Sequence, residues 1–114
     1  MNTIGENIEN YRTFRRMTQV ELGAAVGRSK NVVSNWERGD NTPDLDTLEK
    51  ICRVLNVTPN QIFGWEPCPD YERYLERMNA IKSKIDALSR KKSEIESELE
   101  KARQLLKDET ATEE

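Results

Sequence analysis

Apolar residues recur at helical spacing from the first turn onward. Ile4, Ile8 and Tyr11 form one stripe, which predicts a helix from about Ile4 to Arg15. Thr18-Gln19-Val20-Glu21 has capping-box spacing: the Thr18 hydroxyl can accept the Glu21 N–H while the Glu21 carboxylate returns to the Thr18 N–H. It opens a second helix to about Val26, with Val20, Leu22, Ala25 and Val26 expected inside. Gly27 supplies a turn, and Ser29 caps a third helix that ends at Gly39. The inward stripe of that helix is Val32, Val33 and Trp36. After Thr42-Pro43, Leu45, Leu48, Ile51, Cys52 and Leu55 line one face of a fourth helix. Thr58-Pro59-Asn60-Gln61 repeats the capping-box spacing and opens a short fifth helix carrying Ile62 and Phe63.

The pattern changes at Trp65-Glu66-Pro67-Cys68-Pro69, and no Gly or Pro follows. From Tyr71 the apolar positions advance in alternating steps of three and four, a heptad seam. Its a positions are Tyr71, Met78, Ile85, Lys92, Leu99 and Leu106. Its d positions are Tyr74, Ile81, Leu88, Ile95 and Ala102. Runs of β-branched residues alternating with polar ones are missing, so the expected fold class is all-α. The expected organisation is a compact domain over 1–66, a Pro-rich linker over 67–70, a coiled-coil helix over 71–107 and an acidic frayed tail over 108–114.

Composition agrees with a small domain carrying a long solvated element. Of the 114 residues, 34% are charged and only 6% aromatic, too polar for one compact globule. The net charge of −3 argues mildly against a polyanionic partner, but its distribution matters more. Residues 10–38 carry six basic and two acidic side chains, whereas 39–66 carry two basic and five acidic. The two cysteines, without any histidine, build neither a disulfide framework nor a zinc site. Neither a basic n-region with an apolar h-region nor an apolar run of membrane-spanning length occurs, so the expected location is cytoplasmic, with no membrane partner. No nucleophile has a candidate base at a recognisable spacing, so neither an enzyme nor a cofactor is expected.

Helices two and three, joined by the Gly27 turn over Gln19–Gly39, have the length of a helix-turn-helix. Opposite the inward stripe, helix three carries Lys30, Asn31, Ser34 and Asn35. Lys can donate to guanine acceptors, and Asn can pair bidentately with adenine; the same four could also form an ordinary solvated face. The chain resembles the Cro/C1-type (Xre) helix-turn-helix family over about Ile4–Phe63. The resemblance rests on Arg12, Thr18-Gln19, Leu22, Gly27, Ser29, the Val33–Gly39 run, Pro43, Leu48, Ile51, Leu55 and Thr58-Pro59. It implies a five-helix, lambda-repressor-like domain that binds double-stranded DNA. It places Lys30, Asn31, Ser34 and Asn35 where family members read bases, and Gln19 where a phosphate is contacted and the recognition helix braced. Arg12 and Glu37 fall where the family often has a buried ion pair, and Asn41 and Thr42 in a loop that touches the DNA backbone. By charge alone, Arg16, Arg28 and Arg38 are further phosphate candidates. Two departures stand out: Gly23, where Ala is usual, and Asp40, in a loop often kept basic.

The seam needs a partner, since a lone helix with such a stripe leaves it in water. Lys92, the one charged a residue, favours two strands. Charge does not choose a direction. A parallel pair joins Lys91 with Glu96 and Glu98 with Arg103 but sets Arg77 against Lys82; an antiparallel pair joins Lys84 with Glu98 and Lys82 with Glu96. Recognition helices about 34 Å apart on successive major grooves favour the parallel homodimer. The expectation is a sequence-specific transcriptional regulator, a repressor acting as a dimer on a palindromic operator. The alternative is a protein-interaction module (antitoxin, antirepressor or scaffold) whose coil binds another chain.

Overall fold

The computed structural model describes residues 2–112, which form six α-helices and no strand. They are α1 (Ile4–Phe14), α2 (Gln19–Val26), α3 (Lys30–Arg38), α4 (Leu45–Leu55), α5 (Pro59–Ile62) and α6 (Pro69–Thr112). Each of the first five is opened by a side chain that accepts a backbone N–H left unpaired in the first turn. Thr3 caps α1, Ser29 α3 and Asp44 α4, while Thr18 and Thr58 form complete capping boxes on α2 and α5. Left-handed residues end three of them: Gly27 at φ 73°, Gly39 at φ 82° and Asn56 at φ 55°.

The chain divides into two compact units, residues 1–74 and 75–114. In the first, α3 packs on α1 and α2, α4 on α2, and α5 on α4 and α1. Ile8, Leu22, Val33, Ile51, Leu55 and Ile62 are fully buried in the shared core, with Trp36 and Leu48 beside them. Two glycines let backbones approach where a side chain would collide. A Cβ on Gly5 would lie 2.1 Å from the Trp36 carbonyl oxygen, and one on Gly23 would lie 2.6 Å from the Arg28 carbonyl oxygen.

Several expected core positions are exposed. Val20 is 58% exposed and Ala25 also faces solvent, because α2 buries Leu22, Gly23 and Val26 on the neighbouring arc. Leu45 is 82% exposed, although Thr47 and Leu48 just after it are buried, because it lies on the outer arc of α4. It rims an apolar groove of about 470 Å³ between α4 and α5, lined also by Leu48, Cys52, Val57 and Phe63. Val32 is only half-buried.

In the Pro-rich segment over 67–70, Pro67, Pro69 and Asp70 are exposed and Cys68 is not. Cys68 is buried in the core, and Pro69 starts α6, where its missing N–H costs nothing. Cys52 and Cys68 are both free thiols, and burial pushes the Cys52 pKa up. Tyr71 and Tyr74 pack on α1: Tyr11–Tyr71 and Phe14–Tyr74 have ring centroids 5.1 and 5.0 Å apart. These first two seam residues are thus engaged within their own unit. At the other end α6 continues past Lys107 to Thr112, because the acidic tail contains no Gly or Pro to stop it. Glu113 and Glu114 lie outside the described residues.

The second unit, 75–114, is the rest of α6. Met78, Ile81, Ile85, Leu88, Ile95, Leu99 and Leu106 are exposed along it. Among the described residues, no helix is long and apolar enough to cross a membrane.

Candidate nucleic-acid interface

The orientation of α3 is set from its inner side. Val33 and Trp36 anchor it in the core. Glu37, one residue further along, would be a buried anion, but Arg12 of α1 meets it with two hydrogen bonds, Nε to Oε2 at 2.7 Å and Nη2 to Oε1 at 3.0 Å. Paired, forked geometry is what makes a buried ion pair tolerable. The hydrogen bond to Glu37 raises the Arg12 pKa against the opposing effect of burial, so the guanidinium stays charged. Gln19 of α2 donates to the same Oε1 at 2.9 Å, and Arg12 Nη1 donates to the Met17 carbonyl at 2.7 Å. One buried carboxylate therefore ties α1, α2 and α3 together.

The opposite side of α3 holds the four polar residues on one face, at steps of one, three and one. Lys30 and Asn31 are exposed, and Ser34 and Asn35 are half-buried. Arg38, one turn on, donates to Ser34 Oγ at 2.8 Å and Asn35 Oδ1 at 2.5 Å, and its Nε pairs with Asp40 at 3.0 Å. Arg28 turns towards α4: it donates to Thr47 Oγ1 at 3.2 Å and lies 3.8 Å from Asp44. Thr47's side-chain and backbone hydrogen bonds to Asp44, more than Arg28, hold the Asp44 carboxyl below its ordinary pKa. Arg16 is exposed, in the turn before α2, at φ 59°, and Asn41 and Thr42 are exposed in the loop after α3.

Residues 8–62 match the family model described as Helix-turn-helix. They form a helix-turn-helix domain of the Cro/C1 type. Over 77 residues the chain is 34% identical to the antitoxin PezA of Streptococcus pneumoniae, covering 64% of this chain and 49% of PezA. Over 75 residues it is 40% identical to the transcriptional regulator DicA of Escherichia coli, covering 62% of this chain and 56% of DicA. The chain thus spans about half the length of these curated relatives. The c2 repressor of phage P22, solved with a synthetic operator, superposes with a TM-score of 0.55 at 27% identity, covering 58% of this chain and all of that one.

In this helix-turn-helix, α2 is the bracing helix and α3 the outward-facing one. The four expected base-reading residues come together on α3. Gln19 braces through Glu37, whereas Arg28 and Arg38, named from charge alone as candidate phosphate contacts, are hydrogen-bonded to neighbours. Three contributions were not foreseen from the sequence. Arg15 donates to the Leu55 carbonyl at 2.8 Å, satisfying the end of α4. Buried Asn7 donates to the Ile62 carbonyl at 2.7 Å. Gly5 admits the Trp36 carbonyl. Only Gly5 left a trace in the sequence, as a helical glycine; the two hydrogen bonds span 40 and 55 residues and have no local signature.

Proposed function

We propose that this chain is a sequence-specific double-stranded-DNA-binding transcriptional regulator, a repressor, with α3 in the major groove. The observation that carries the reading is the two-sidedness of α3. Its inner side is fixed by Val33, Trp36 and the Arg12–Glu37–Gln19 network, so Lys30, Asn31, Ser34 and Asn35 are presented from a rigid support. Arg16, Asn41 and Thr42 would set the register on phosphates. A second copy joined through the seam from Met78 to Leu106 in a parallel coiled coil would supply the other half of a palindromic site. The protein would work in the cytoplasm, without a cofactor or an enzymatic step.

Gel-shift titration against a pool of duplexes, with a salt series, tests the reading. Asn35→Ala is expected to relax base preference, whereas Arg16→Ala weakens all sequences alike. Sedimentation equilibrium of the full chain tests the pairing, and a monomer at high concentration would remove the coiled-coil part. The similarity to PezA, together with the exposed apolar stripe of α6, favours one second reading, an antitoxin-like module that binds another chain. Absence of duplex binding even at low salt would select it.

A further inference from the structure

Arg38 uses three of its nitrogens on three different acceptors: Nε on Asp40 Oδ2 at 3.0 Å, Nη1 on Ser34 Oγ at 2.8 Å and Nη2 on Asn35 Oδ1 at 2.5 Å. A guanidinium donates only and accepts nothing. It therefore fixes the polarity of the two side chains it touches. Asn35 must turn its carbonyl oxygen inward to Arg38, which leaves the Nδ2 hydrogens pointing away. Ser34 accepts from Arg38, so its own hydroxyl hydrogen is left to donate elsewhere. Asp40 anchors the far end of the guanidinium and offsets its charge.

We propose that Arg38, held by Asp40, is a positioning residue that determines specificity by making Ser34 and Asn35 present hydrogen-bond donors to the bases. The inference deepens the DNA-binding reading and rests on it. In the major groove, donors match O6 and N7 of guanine, N7 of adenine and O4 of thymine. Bidentate pairing of Asn35 with adenine needs its oxygen to accept from N6, and that oxygen is turned towards Arg38. Asp40, out of place in a loop expected to approach phosphates, gains a purpose: it keeps Arg38 on the α3 surface instead of on the DNA backbone. The Arg38 and Asp40 side chains are each 60% exposed, so substitutions here leave the core intact.

The test uses the full chain and Arg38→Ala, Arg38→Lys and Asp40→Ala, with thermal melting as a check on folding. Each is used to select duplexes from a randomised pool, and affinities are then measured across salt. Lys keeps the charge but lacks the fork. Both Arg38 variants are expected to lose preference at one or two base pairs by about fivefold or more, with the salt dependence unchanged. Asp40→Ala frees Arg38; preference weakens at the same positions and the slope of log affinity against log salt steepens by about one. The proposal is overturned if Arg38→Ala weakens all sequences equally, flattens the slope by about one, and is rescued by Lys, because Arg38 would then be a phosphate contact. It is also overturned if all three variants keep the wild-type preference. If the wild-type chain binds no duplex at low salt, the DNA-binding reading itself fails, a result distinct from either.

Discussion

The two units treat apolar residues in opposite ways. In residues 1–74, Leu22, Val33, Ile51 and Leu55 reach zero exposure, whereas beyond Leu75 Leu88 and Ile95 stay above 60% exposed. Both segments are helical and capable of apolar periodicity. The difference is that short helices with caps and glycine turns can fold back on one another, while 44 residues of uninterrupted α6 cannot. The first unit buries its apolar residues within itself; the second leaves its stripe exposed. That contrast predicts that core damage and seam damage have separate readouts.

The largest effect is expected at Glu37. Glu37→Ala leaves Arg12 charged and buried without its partner, a loss of about 3–5 kcal/mol of stability. Thermal melting of the first unit should show it, while sedimentation of the full chain still reports association through α6. Replacing Arg12 and Glu37 together by apolar residues of similar volume should recover most of the loss, because the cost lies in the stranded charge. Equal damage from the single and double changes would break this account.

Leu88→Ala is the matching change in the second unit. It removes about 2–3 kcal/mol of apolar burial from the proposed dimer, because two copies are lost at once. Sedimentation equilibrium should show dissociation at higher concentration by a factor of ten or more, with the melting of the first unit unchanged. If Leu88→Ala lowers that melting temperature instead, the two units are not energetically separate.

Gly23→Ala ranks next, at about 1–2 kcal/mol of destabilisation. Alanine favours the helix by about 1 kcal/mol over glycine, but the new Cβ would sit 2.6 Å from the Arg28 carbonyl and must push the turn between α2 and α3 away. A gain in stability would mean that the turn can relax freely.

Gly23 also shows where the sequence stops being legible. Helix positions, caps and the inward stripe of α3 follow from local periodicity and short-range hydrogen bonding, so they can be read along the chain. Thr18, Ser29 and Thr58 are found doing what their spacing implied. Which neighbour a residue meets is a matter of packing. Val20 and Leu45 have apolar side chains at helical spacing yet face water, because periodicity does not say which arc a partner helix covers. Cys68 sits between two prolines and is nevertheless buried. In the interface, residue types pointed to Ser34 and Asn35; Arg38 lies three and four residues on, at ordinary helix-neighbour spacing, but spacing alone does not say which atoms its fork engages.

Arg16 provides the smallest stability change and the cleanest separation of fold from binding. At φ 59° it occupies a left-handed conformation that costs a side-chain-bearing residue about 1 kcal/mol, and glycine adopts it freely. Glycine also gains freedom in the unfolded chain, which offsets roughly half of that benefit or more. Arg16→Gly is therefore expected to raise stability by about 0.5 kcal/mol or leave it unchanged. The same change deletes an exposed cation beside α2. If Arg16 meets a phosphate, affinity falls evenly for all duplexes and the salt slope flattens by about 0.9. A protein that melts no earlier yet binds more weakly would show that the strained turn is retained for its charge. Unchanged binding would remove Arg16 from the interface and leave its left-handed turn without a functional reason.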